Sequence, residues 1–184
     1  FYLKLRNVSP PGAAIFDADE IATYLSTGGV VSAINWPNWV ALYEDPEQSR
    51  VVGKMAYGRI PNGTHVGKSH IGIWQLLIPK GAEHKQAAFD FMHWATSKEQ
   101  IKIATRDHGT PPVRFSVFTD PELTSKPEFR YLPHLLSALT YSQHAPLEPR
   151  WFEILDSVGV YLSEAVAGEK TVNEALDATQ AALI

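Results

Sequence analysis

Hydrophobic and polar positions along the chain follow two different periods. From Arg150 to Gly168, the apolar residues Trp151, Ile154, Leu155, Val158, Leu162, Ala165 and Val166 recur at spacings of three and four. That spacing predicts a helix with one continuous apolar stripe, stopped by Gly168. Ala88, Phe91, Met92 and Ala95 keep the same period inside "EHKQAAFDFMHWATSKEQIKIATRDHG". There Ser97 with Gln100 restarts the helix through a capping box, and Gly109 ends it. "DADEIATYLSTGG" reads as a short amphipathic helix with a capping arrangement at Asp17 and Glu20, apolar Ile21, Ala22 and Leu25 on one face, and Gly28 as its stop. A last helix begins at Thr171, whose hydroxyl caps it while Glu174 holds the reciprocal position.

Other apolar runs lack the helical period. "VVSAI" is β-branched, bounded by glycines and a proline turn, and predicts a buried strand that delivers "NWPNW" to its end. "SRVVGKMAYGRIPNG" reads as extended chain running into a turn, and "HIGIWQLLIP" as a second strand closed by Pro79. "TPPVRFSVFTDPEL" is loop-rich. "KPEFRYLPHLLSALTY" is helical, with Pro133 either interrupting it or opening a fresh helix, and "HAPLEP" is a connection. The result is a mixed α/β chain without repeats or low-complexity segments.

Composition narrows the class. With 184 residues, 45% hydrophobic and 20% charged, the chain has enough apolar material for a real core. A net charge of -4 and a pI near 6.0, with no basic run interleaved with aromatics, argue against nucleic acid as a partner. No apolar stretch approaches the roughly 20 residues of a membrane-spanning helix. The absence of cysteine excludes disulfides, thiolate metal sites and cysteine nucleophiles within this sequence. The opening "FYLKLRNVSPPGAA" has neither an initiator Met nor the pattern of a secretory signal, and processing or truncation is expected to account for it.

The sequence contains no G-x-S-x-G elbow, H-E-x-x-H, Walker loop or G-x-G-x-x-G. His65 and His70 flank "VGKS", but no carboxylate sits at ligand spacing beside them, so surface histidines are favoured over a metal site. Glu148 and Glu153 flank Trp151 in a way that would suit glycosidic chemistry. One lies in a proline-rich loop and the other on a helix, however, and solvated surface carboxylates are the simpler account. No catalytic residue, metal or cofactor is expected.

The aromatics say more. Trp36, Trp39, Trp74 and Trp151 stand near glycine, proline or the start of an element, where loops converge. Any one of them has an alternative as a lid over the core. A flat ring packs well against the C–H face of a pyranose or polyol, while amides and guanidinium groups take the hydroxyls. Asn35, Asn38 and Arg114 supply such groups near these positions.

The order of "GGVVSAINWP", "DPEQSRVVGKMAYGRIPNG", "GIWQLLIPKGAEHKQAAFDFMHWATSKEQ", "GTPPVRFSVFTDPEL" and "WFEILDSVGVYLSEAVAGEKTVNEALDATQ" resembles the C-terminal half of the extracellular solute-binding proteins of ABC transporters. The similarity lies in the carbohydrate-specific branch related to maltose-binding protein and covers nearly the whole chain. It implies a periplasmic-binding-protein-like (type II) fold, two α/β sandwich lobes with the ligand between them, present here as a C-terminal fragment that closes by hinge motion. It further implies that residues 1–75 and 119–184 belong to the C-terminal lobe and 76–118 to the N-terminal lobe. The expected site comprises Asn35, Trp36, Asn38, Trp39, Gly72, Trp74, Arg114 and Trp151, with Trp151 forming the wall opposite Trp36 and Trp39. The expected partners are a sugar or polyol, the membrane permease of an ABC importer and the missing N-terminal half, in a periplasmic or extracellular location. The alternatives are a glycosidase-like enzyme and a receptor for a non-sugar solute. One departure from the family pattern stands at Gly72-Ile73-Trp74, where a second glycine commonly precedes the aromatic; the Ile73 side chain needs room that glycine does not.

Overall fold

A computed structural model describes residues 2–183. In chain order the elements are α1 (Tyr2–Arg6), α2 (Ala18–Ser26), α3 (Val40–Tyr43), β1 (Ser69–His70), α4 (Lys85–Ala95), α5 (Lys98–His108), α6 (Phe115–Phe118), α7 (Pro121–Thr124), α8 (Leu132–Thr140), β2 (Ser142–Gln143), α9 (Trp151–Ala167) and α10 (Val172–Leu183). Single 3-10 turns occupy Ala13–Ile15, Pro37–Trp39 and Pro127–Phe129. The chain divides into two compact units, one of residues 1–21 with 145–184 and one of residues 22–144.

In the first unit, α9 packs on α10 and α1. The α9–α10 corner is closed by Gly168 in the left-handed region at φ 88°, where the N–H groups of Gly168 and Glu169 return to the Glu164 carbonyl. The capping box at the start of α10 is formed as the sequence predicts: Thr171 N–H donates to Glu174 Oε2 at 2.8 Å and Glu174 N–H to Thr171 Oγ1 at 3.3 Å. The apolar stripe predicted for α9 is narrower than its sequence. Trp151, Ile154, Val158 and Ala165 turn inward, but Leu155 and Leu162 are exposed, as is Phe152. One helix in contact with α1 and α10 has only part of its circumference covered, so the rest of its apolar side faces solvent.

The second unit holds most of the buried core. Its contributors are Ala22 and Leu25 of α2, Val40 and Tyr43 of α3, Val117 and Phe118 of α6, Leu123 of α7, and Phe129, Tyr131 and Leu132 around the start of α8. Ser97 Oγ accepts from Gln100 N–H at 3.3 Å to cap α5, and Gly109 ends that helix at φ 66°. Its left-handed backbone also brings the chain against α3, since a Cβ on Gly109 would sit 2.3 Å from the Ala41 Cβ. The segment predicted to be loop-rich contains α6 and α7, the latter capped by Asp120, whose Oδ1 accepts from Glu122 N–H at 3.1 Å. Pro133 stands in the first turn of α8, so it opens a fresh helix after the turn at Pro127–Phe129.

Two strand expectations are corrected. "VVSAI" forms no strand: residues 31–34 are exposed, with Val31 and Ile34 open to solvent. "HIGIWQLLIP" is paired only at its start, where Ser69 and His70 lie parallel to Ser142 and Gln143. Both runs have strand-like composition, but a strand is completed by a neighbour's N–H and C=O groups. Among the described residues the only sheet is this two-stranded pair.

A half-buried ion pair does for the extended segment after α3 what a sheet ladder would otherwise do. The Glu44 carboxylate, only 6% exposed, accepts from both terminal nitrogens of Arg130 at 2.8 and 2.7 Å, from the Tyr57 hydroxyl at 2.7 Å and from Gly53 N–H at 3.2 Å. Arg130 also donates to the Met55 carbonyl at 3.2 Å. Residues 53–57 are thereby tied to the turn that precedes α8. Burial works to raise the Glu44 carboxyl, yet the hydrogen bonds from Arg130, Tyr57 and Gly53 outweigh it and hold the group below its ordinary value.

Candidate functional site

The stretch "INWPNW" turns because Pro37 stands in the first position of a 3-10 helix and Trp36 before it takes the extended conformation (φ -72°, ψ 145°) that a following proline favours. Asn35 Oδ1 accepts the Trp36 N–H at 2.8 Å, and Trp39 N–H closes the turn on the Trp36 carbonyl at 3.4 Å. Asn35 Nδ2 reaches the Tyr43 hydroxyl at 3.4 Å. Burial raises the Tyr43 pKa and the Asn35 contact opposes that rise. The Asn35 amide is thus oriented from both sides, and the Trp36 ring projects outward, 49% exposed.

Gly72 meets that ring from a different part of the chain. A Cβ built on Gly72 would lie 3.5 Å from Trp36 Cη2 and Cζ3, so the bare glycine backbone approaches the six-membered ring. The imidazole of His70 and the indole stand nearly perpendicular, with centroids 6.1 Å apart and planes at 78°. The pairing with β2 fixes this strand: Ile71 N–H donates to the Gln143 carbonyl at 3.1 Å and Lys68 Nζ to Gln143 Oε1 at 3.3 Å. An exposed aromatic face beside an oriented amide is an arrangement that packs against the C–H surface of a polyol or sugar and hydrogen-bonds its hydroxyls.

The other expected site residues are placed differently. Asn38 is exposed in the middle of the turn, and Trp39 is partly buried, its Nε1 without a hydrogen-bond partner among the described residues. Trp74 is fully exposed. Arg114 commits its Nε to the Thr96 carbonyl at the end of α4, a role in closing that helix. Trp151 opens α9 and belongs to the other compact unit. The structure therefore brings Asn35, Trp36 and Gly72 together and adds two residues that were not expected at the site, His70 and Tyr43. His70 stood out only as a histidine near His65, and no spacing in the sequence announces its contact with a ring 34 positions earlier.

No cluster of three metal-ligating side chains occurs among the described residues, and none of the described helices is long and apolar enough to cross a membrane. The concavities among the described residues include two that the Trp36 corner does not line. One is an open apolar face of α9 around Phe152, Leu155 and Gly159. The other is a groove between α3, the end of α5 and Phe129–Tyr131.

Comparison with known proteins completes the picture. Residues 11–131 match the family described as bacterial extracellular solute-binding protein. A probable amino-acid ABC transporter periplasmic-binding protein of Sinorhizobium fredii is 30% identical over 136 residues, covering 74% of this chain and 30% of that protein. The mannitol-binding protein of Pseudomonas aeruginosa is 26% identical, with 98% of this chain and 45% of that protein covered. Among solved structures, an ABC transporter solute-binding protein from Agrobacterium radiobacter in complex with ribitol matches with a TM-score of 0.81 and 29% identity, over 94% of this chain and 44% of that one. The maltose-bound MalE3 of T. maritima matches with a TM-score of 0.84 at 24% identity and the same coverage, a likeness of fold. The chain spans less than half the length of these relatives. The fold is that of the type II solute-binding proteins, and the chain belongs to the bacterial extracellular solute-binding protein family.

Proposed function

We propose that this chain is the C-terminal portion of a two-lobed receptor that captures a sugar or polyol outside the cytoplasmic membrane and delivers it to the permease of an ABC importer. The observation that carries the reading is the Trp36 corner, a half-exposed indole backed by the Gly72 backbone and flanked by the oriented amide of Asn35. The mannitol and ribitol named for two relatives point to the same ligand class. In this reading Asn38 and Trp39 support the corner from within the turn, while Trp74 and Arg114 supply further ligand contacts. Segments 1–75 and 119–184 belong to the C-terminal lobe and 76–118 to the N-terminal lobe. The exposed Phe89, Phe91 and Trp94 of α4 then await cover from residues outside this chain. In this reading the function is binding, with the Trp36 ring as a stacking face and the Asn35 amide beside it.

The amino-acid transporter relative keeps a second ligand class in view. Calorimetric titration of the full-length receptor with ribitol, mannitol, maltose and a set of amino acids decides between them. Saturable heat with a polyol or sugar alone supports the proposal, and saturable heat with amino acids alone replaces it. Release of cleavage products from oligosaccharides would move the protein to the enzymes.

A further inference from the structure

We propose that His70 is a positioning residue for the ligand-stacking ring: held by the β1–β2 pairing, it packs perpendicular to Trp36 and sets the angle at which the indole meets its ligand. The inference rests on the reading of Trp36 as a ligand wall and adds to it the side chain that fixes the wall. Three groups converge on one point. From the position a Gly72 Cβ would take, Trp36 Cη2 and Cζ3 are both 3.5 Å away and His70 Nε2 is 3.7 Å away. The indole is therefore met by the Gly72 backbone and by the imidazole of His70 in the same corner. A 6.1 Å separation at 78° is the edge-to-face geometry in which the positive rim of one ring meets the negative face of another.

His70 can serve this purpose because its backbone is tied by the pairing with β2. His70 is in register with Gln143, the next N–H donates to the Gln143 carbonyl, and Lys68 just before it bonds the Gln143 side chain. Trp36, by contrast, leads into a short 3-10 turn and is half exposed. An indole on a turn has several rotamers open to it, and removing that freedom before the ligand arrives strengthens binding. The contact is made through ring edges, so an aromatic replacement preserves it and a small polar replacement does not.

The test uses the full-length receptor with ribitol and mannitol as probes, titrated against the parent, His70→Ala, His70→Phe, His70→Asn, Trp36→Ala and the double variant His70→Ala with Trp36→Ala. His70→Ala is expected to bind roughly two- to tenfold more weakly. His70→Phe should bind within about twofold of the parent, and His70→Asn should resemble His70→Ala. In the Trp36→Ala background, loss of His70 should have no further effect, because its action passes through the ring. Near-ultraviolet circular dichroism of the ligand-free protein should lose part of its tryptophan signal in His70→Ala and regain it in His70→Phe. An equal loss on removing His70 with or without Trp36, or rescue by Asn and not by Phe, would show that His70 touches the ligand itself and would overturn the proposal. If Trp36→Ala binds as the parent does, or neither polyol binds the parent, the underlying reading has failed. If Trp36→Ala weakens binding and His70→Ala does not, only the positioning role has failed.

Discussion

The helix from Ser97 to Gly109 and the apolar run from Ile71 to Pro79 are both plain in the sequence, and they meet different fates in the structure. The helix is complete: its cap, hydrogen bonds and C-terminal glycine all lie within its own residues. The run has the composition of a buried strand but meets β2 only through the Ile71 N–H, just past the paired Ser69 and His70, leaving Ile73, Trp74, Leu76 and Leu77 exposed. Helices satisfy their backbone locally, whereas strands borrow satisfaction from elsewhere. Extended segments in this chain are ordered where side chains substitute for a ladder, as Glu44 and Arg130 do for residues 53–57.

That contrast breaks most sharply at Glu44. Glu44→Ala leaves the Arg130 guanidinium without its carboxylate and frees the extended segment, with an expected loss of about 2 to 3 kcal/mol in folding stability by denaturant titration. The same carboxylate gives a pH dependence. Its folded pKa is lowered, so its stabilisation is complete above the ordinary carboxylate range and is lost as pH falls through the lowered folded value. Unfolding midpoints should decline on acidification, and Glu44→Gln should flatten that decline.

Gly109→Ala comes next, since its Cβ collides with Ala41 and its φ is positive. About 1 to 3 kcal/mol is expected from the steric conflict. Gly53→Ala shares the positive φ and meets nothing within 4 Å, and isolates the backbone cost at about 1 kcal/mol. Ser97→Ala, which removes the α5 cap, should cost about 1 kcal/mol and lower the helical signal near that end. Smallest of all, Val31→Ser and Trp74→Ser should change stability by no more than about 0.5 kcal/mol in this chain, because both side chains are exposed. A loss of several kcal/mol at either position would mean that the extended runs are packed after all.

These cases show what the sequence carries. Capping pairs such as Ser97 with Gln100 and Thr171 with Glu174 act over three residues, and they are legible because the partners are adjacent in the code as well as in space. The Trp36 turn is legible for the same reason, through Asn35 and Pro37. The approach of Gly72 and His70 to that ring is long-range, set by a two-residue strand pairing that no local pattern encodes. Arg114 reads in sequence as a guanidinium in a loop, and the Thr96 carbonyl that its Nε meets at the end of α4 is a long-range partner that no local pattern encodes. The exposed half of α9 was illegible for a related reason: a helical period shows which residues share a face and is silent on how much of that face is covered.

The central claim is that Trp36 is a wall of the ligand site and not a lid over the core. Calorimetric titration of the full-length receptor and its Trp36→Ala variant with ribitol and mannitol, paired with thermal unfolding of both proteins, tests it most directly. The account predicts binding weakened by about 1 to 3 kcal/mol with an unchanged melting midpoint, since the ring is half exposed before ligand arrives. Unchanged affinity accompanied by a melting midpoint lowered by several degrees would contradict it.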